Sequence, residues 1–186
     1  MGRILTIGHG GRTIESMVAI LKREGVDFLI DVRSRPYSKF QPEFNQQVLK
    51  LVVEKNGIRY VFMGDLLGGL PSDPSVYVDG HVDYELCRQR QWFKDGIARL
   101  EISQSGGHAI ALMCSEKKPE SCHRSKLIGV ELNARKLFPE HIDEKDQIID
   151  QNAVIGRLTG GQSFLFEGMR NQSVKRHKPE DSDNAS

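Results

Sequence analysis

Two of the chain's three cysteines, Cys114 and Cys122, fall in one polar segment, Cys114-Ser115-Glu116-Lys117-Lys118-Pro119-Glu120-Ser121-Cys122-His123-Arg124; the third is Cys87. A deprotonated thiol is a nucleophile, Glu116 and His123 can move protons, and Arg124 carries a planar fork that suits a phosphate or carboxylate. Ser121 has the type and position of a helix N-cap, which predicts Cys122, His123 and Arg124 in a first helical turn. Unpaired amides and the helix dipole would there favour an anion and lower a thiol pKa, making Cys122 a candidate thiolate. Neighbouring residues on a helix diverge, so this reading gives no ground for taking His123 as the base of Cys122. Two further polar clusters follow apolar runs: Gly8-His9-Gly10 and Asp31-Val32-Arg33.

The elements that must hold these residues alternate. Arg3 to Ile7 reads as a strand, followed by a helix capped by Thr13, with Ile14, Met17, Val18 and Leu21 as its stripe and Gly25 beyond its end. Phe28-Leu29-Ile30 has the continuous apolar character of a buried parallel strand. After Pro36 and Pro42, the residues Phe44, Val48, Leu51 and Val52 mark a helix that ends before Asn56-Gly57, and Ile58 to Phe62 is a third strand. Gly68-Gly69, Pro71, Pro74 and Gly80 belong to a long irregular stretch that could wall a pocket. One helix is expected from Tyr84 to about Ile102, weakened by Gly96. His108 to Met113 is the best central strand, with Cys114 at its carboxyl edge, and Ser121 to about Arg135 is the next helix. His141-Ile142 can add a short fifth strand, and residues 144 to 160 a further helix or loop.

This alternation predicts a single-domain α/β, Rossmann-like three-layer sandwich with a mostly parallel sheet of about five strands. Its expected extent is 1–168, with 169–186 as a polar, disordered tail. In such sheets ligands bind beyond the carboxyl ends of the strands, where Gly8-His9-Gly10, Asp31-Val32-Arg33 and Cys114-Ser115-Glu116 would converge. The 26 basic and 25 acidic residues leave a net charge of +1, so an anion site must be local rather than a product of the whole field. An odd cysteine count, no signal-like run and no membrane-length apolar stretch lead to the expectation of a reduced, cytoplasmic protein with no membrane partner.

Thr6-Ile7-Gly8-His9, Asp31-Val32-Arg33-Ser34-x-Pro36-x-Ser38, Leu67-Gly68-Gly69 and Cys114-x-Glu116 followed by Cys122-His123-Arg124 resemble the signature segments of the DUF488 family. The resemblance runs from residue 3 to about residue 142 and implies the same Rossmann-like domain, without implying an activity. Gly10 stands where the family often has Ser.

These residues are compatible with several functions. The first is an enzyme acting on a phosphate-bearing ligand, a nucleotide or nucleic-acid component. Its candidate catalytic residues are Cys114, Glu116, Cys122, His123, His9 and Asp31, and its candidate ligand-binding residues are Arg33, Arg124, Gly8, Gly68 and Gly69. The second is rhodanese-like sulfur or phosphoryl transfer, against which the long interval from Cys114 to Arg124 counts. The third is metal binding, with Cys114, Cys122, His123 and His9 as N/S ligands for zinc, although the cysteine spacing is unlike that of common structural zinc sites. The fourth is a non-catalytic module for a nucleotide, nucleic acid or protein. No cofactor is expected, and the sequence sets no oligomeric state.

Overall fold

The computed structural model describes residues 2–159 together with 172 and 173. The first strand, β1 (Ile4–Gly8), leads into α1 (Ile14–Arg23), whose start is fixed by Thr13 accepting from the Ser16 amide. Its end is marked by Gly25 at φ +66°, a conformation that costs glycine no Cβ clash. There follow β2 (Phe28–Asp31), α2 (Gln46–Lys55), β3 (Arg59–Phe62) and a one-turn helix, α3 (Gly64–Leu67). The irregular stretch beyond it holds a small hairpin, β4 (Tyr77–Val78) and β5 (His81–Val82). Two helices, α4 (Tyr84–Gln89) and α5 (Gln91–Ser105), precede β6 (Ile110–Cys114). A π-helical segment, Arg124–Gly129, runs into α6 (Val130–Ala134), and β7 (Glu140–Ile142), β8 (Ile148–Asp150) and α7 (Gln151–Thr159) complete the described fold.

The main sheet has six strands in the order β3-β2-β6-β1-β7-β8, parallel except for the β7–β8 pair. It therefore contains one strand beyond the five expected, because Ile148–Asp150 folds back on β7. Side chains alternate across it. Leu5, Ile7, Leu29, Ala111 and Met113 meet Met17 and Leu21 of α1 and Leu49 and Val53 of α2 on one face. Ile4, Ile30, Leu112 and Cys114 meet Phe93, Ile97, Leu127 and Ile128 on the other. The result is the expected α/β sandwich, with Cys114 on the α5 and π-helix side.

Three expectations change. The helix expected from Tyr84 to Ile102 is broken at Arg90, whose backbone is extended at φ −77°, ψ 143°. An unbroken helix carrying Cys87 inward would also turn Arg90, Gln91 and Lys94 inward; the break lets both Cys87 and Phe93 reach the core. On α2 the buried positions are Leu49 and Val53, whereas Val48 and Leu51 are exposed. Ser121 is not an N-cap: it ends a 3₁₀ turn, Pro119–Ser121, and Cys122 is extended at φ −121°, ψ 151°. The expected tail lies outside the described residues except for Gln172 and Ser173, which pair with Asp83 and with Val82, the Ser173 amide donating to the Val82 carbonyl at 3.0 Å. Among the described residues no helix is long and apolar enough to cross a membrane.

Candidate active site

Parallel register brings the three polar clusters to one edge. Gly8 pairs with Cys114 and Asp31 with Met113, so β1, β2 and β6 end together. The connection after β1 runs toward β2 and the one after β6 toward β7, so β1 and β6 flank the switch point where a crevice opens in such sheets. A cavity of about 490 Å³ lies there, within the range of small-molecule sites. Of the expected site residues, Arg33, Gly69, Cys114, Glu116, Cys122 and His123 line it; Gly8, His9, Asp31, Gly68 and Arg124 do not.

The residues that do not line the cavity build its supports. Asp31 is fully buried and binds Arg33 through Nε at 2.9 Å and NH2 at 2.6 Å, and it also accepts from the Tyr60 hydroxyl at 2.7 Å. Burial first, then the Asp31 charge, raises the Tyr60 pKa, so that hydroxyl remains a donor. His9 stacks on Phe44 with ring centroids 4.4 Å apart. Its Nδ1 donates to Gln41 Oε1 at 3.1 Å, which leaves Nε2 to accept from Arg33 NH1 at 3.4 Å. Burial, with Arg33 second, lowers His9 from 6.5 to about 4. His9 and Asp31 thus hold Arg33 in place.

Arg124 also differs from the expected free fork. It is fully buried, donating through NH1 to Cys114 Sγ at 2.9 Å and the Glu116 carbonyl at 2.5 Å, and through NH2 to the Lys117 carbonyl at 2.9 Å. The loop from Cys114 to Arg124 therefore turns carbonyls toward its arginine, the opposite of an amide cradle around a phosphate. Gly8 makes room for this: a Cβ there would run into the Glu116 carbonyl oxygen and would lie 2.5 Å from Arg124 NH1.

Both thiols, Glu116 and His123 meet on the cavity wall. Cys122 Sγ lies 2.7 Å from Cys114 Sγ, 3.5 Å from Glu116 Oε2 and 3.5 Å from His123 Nδ1. His123 Nε2 is 3.1 Å from the Val32 carbonyl, an acceptor only, so Nε2 carries the proton and Nδ1 offers its lone pair to the thiol. The Cys122–His123 pair, left open by the helical reading, forms because Cys122 is extended and His123 begins the helical turn. Gly69 lets the imidazole lie against its backbone, since a Cβ there would stand 2.8 Å from the ring. Gly68 does the same for Ser34. Burial drives the Cys114 thiol well above its ordinary pKa; its hydrogen bond with Cys122 adds to the shift and Arg124 opposes it. Cys114 thus keeps its proton.

Cys114, Glu116 and Cys122 place one ligand atom each within 4.8 Å of one another, a group with metal-ligating chemistry. It differs from the expected zinc set, as Glu116 takes part while His9 and His123 fall outside the group. Sequence reasoning missed Tyr60, Tyr84, Gln41, Arg35, Lys126 and the Val32 carbonyl. Arg35 and Lys126 are charges at the ends of motifs already singled out, while the others depend on contacts far apart in sequence.

A family model described as a domain of unknown function, DUF488, matches residues 13–130. The chain belongs to the DUF488 family. No curated protein and no solved structure matches it. The matched part of this DUF488 domain contains β2, β6 and the whole Cys114-to-Arg124 segment, whereas β1 and β7 lie outside it.

Proposed function

We propose that this protein is an enzyme whose nucleophile is the Cys122 thiol, activated by His123 and directed at a small phosphate-bearing ligand related to a nucleotide or nucleic acid. The observation that carries the proposal is the 3.5 Å approach of His123 Nδ1 to Cys122 Sγ, with the opposite nitrogen tied to the Val32 carbonyl. This is the arrangement of nucleophile, base and orienting group that covalent catalysis requires. His123 Nδ1 takes the thiol proton as the sulfur attacks. Glu116, 3.5 Å from the same sulfur, passes a proton to the leaving group and then takes one from an incoming water. Arg35 and Lys126 on the cavity wall can meet an anionic ligand, the charge of Arg33 being already paired with Asp31. Tyr84, largely buried, adds a flat apolar wall with its hydroxyl kept protonated by burial.

A metal centre at Cys114, Glu116 and Cys122 is the second reading. Two thiolates on one tetrahedral zinc, each at about 2.3 Å, sit roughly 3.7 Å apart. The two sulfurs are 2.7 Å apart and the Arg124 cation already contacts Cys114, so binding would require both to give way. Metal analysis of reduced protein decides it, stoichiometric zinc favouring the metal centre. Rhodanese-like transfer is weakened by the inward carbonyls of the loop.

The ligand class is tested by alkylating Cys122 in the presence of nucleotides, short oligonucleotides or inorganic phosphate, with melting followed in parallel. A ligand of this class is expected to slow alkylation and raise Tm by mass action, and Lys126→Ala to weaken both effects. If no phosphate-bearing compound does either, the ligand assignment fails. Protection and stabilisation without any chemical change in the bound compound would leave a binding module in place of an enzyme.

A further inference from the structure

The mechanism above gives Cys114 no role, yet its sulfur lies closer to Cys122 than any other group in the site. We infer that Cys114 and Cys122 form a working dithiol–disulfide couple, with Cys122 as the thiol that meets an oxidising substrate and Cys114 as the thiol that resolves it. The inference rests on Cys122 being the reactive thiol of the proposed active site, and adds a hydroperoxide as the class of compound that the couple reduces.

Three observations lead to it. Closing the gap from 2.7 Å to a disulfide bond of about 2.05 Å requires only about 0.65 Å of approach. Both residues are buried and both line the cavity, so the order of the two thiols is set by their partners: the His123 Nδ1 and Glu116 Oε2 acceptors each lie 3.5 Å from Cys122 Sγ. Arg124 NH1, 2.9 Å from Cys114 Sγ, can stabilise the negative charge that develops on this sulfur as its proton leaves. Cys87, the remaining thiol, packs with Tyr84 and Phe93 in the core, and burial pushes it up to about 12.

The chemistry balances. The Cys122 thiolate attacks one oxygen of a hydroperoxide, an S–O bond forms, the O–O bond breaks, and the departing oxygen leaves as water or alcohol after taking a proton. Cys114 sulfur then attacks Cys122 sulfur, the S–S bond forms and the S–O bond breaks. The leaving hydroxide takes the proton released by Cys114, directly or through Glu116, and departs as water. Two thiols lose two electrons and two protons, and hydrogen peroxide becomes two waters. An external dithiol returns the pair to the reduced state.

Peptide mapping of the full chain after hydrogen peroxide treatment tests this directly. Trypsin cuts after Lys117, while Pro119 protects the next bond, so the oxidised couple joins Leu100–Lys117 to Lys118–Arg124. The expected result is that this joined pair replaces both free-thiol peptides, reverts with dithiothreitol, and leaves Cys87 free. Cys114→Ser should convert the product to a sulfenic acid at Cys122 that a dimedone probe traps. Since that variant can fail to fold, the wild-type map stands as the primary measurement. Oxidation of Cys122 to sulfinic or sulfonic acid with Cys114 still free would overturn the couple and leave Cys122 as the active thiol. Failure of Cys122 to react with either peroxide or an alkylating reagent would overturn both readings. A joined pair in a protein that no phosphate compound protects would uphold the couple and remove only the ligand class.

Discussion

The meeting of Cys122 with His123 depends on backbone more than on residue type. An extended Cys122 followed by a helical His123 throws the two side chains toward one another, and the imidazole is then held from behind by Val32. The residue types were legible in the sequence: a cysteine, histidine and arginine in succession announce chemistry. Their division of labour was not, because it depends on what each buried group touches. Arg124 reads as an anion fork until its partners prove to be the Glu116 and Lys117 carbonyls. His9 and His141 show the same dependence on burial. Both are lowered from 6.5 to about 4, by burial first and then by an arginine, Arg33 for His9 and Arg124 for His141. The folded protein therefore leaves both neutral at pH values where the unfolded chain protonates them. Their contribution to stability is complete above about pH 6.5 and is lost as pH falls through about 4. Tm is accordingly expected to decline on acidification across this window, and His141→Gln to flatten the decline; a Tm unaffected down to about pH 4.5 would refute that attribution.

Glycines at the ends and junctions of elements set the closeness of the site. Gly8 ends β1 against Arg124 and the Glu116 carbonyl, and Gly69 follows α3 against the His123 ring. Gly8→Ala is expected to cost roughly 1–3 kcal/mol by overpacking, read as a lower denaturant midpoint. Gly69→Ala should instead leave the midpoint nearly unchanged while displacing the imidazole, so that alkylation of Cys122 slows; parent-like alkylation in that variant would show that Gly69 does not position His123. The strand ends were legible because an apolar run followed by a charged or glycine-rich cluster recurs at β1, β2 and β6. The π-helical turn was not. Gly129 admits the Gln151 side chain, which bonds His141 and the Ser125 carbonyl, and no local pattern in residues 124–129 announces a partner that far along the chain.

At the scale of the molecule, the site is a property of the sheet rather than of one motif. The α/β class and the parallel order could be read from alternating strands and helices, whereas β8 was missed because Ile148–Asp150 is a three-residue edge strand with too few residues to show a period. The family match begins at residue 13, after β1, yet β1 pairs with both β6 and β7 and supplies Gly8. A fragment of residues 13–130 is therefore expected not to fold cooperatively, seen as a flat urea profile by circular dichroism; a sigmoidal transition would show that β6 does not need its central neighbour. The central claim, that His123 activates Cys122, is tested most directly by the rate of Cys122 alkylation with iodoacetamide at neutral pH, site-resolved by peptide mapping, in the parent and in His123→Ala. Cys122 is expected to react well ahead of Cys87 and Cys114 in the parent, and to slow on the order of tenfold or more in the variant. Equal rates in the two proteins would contradict it.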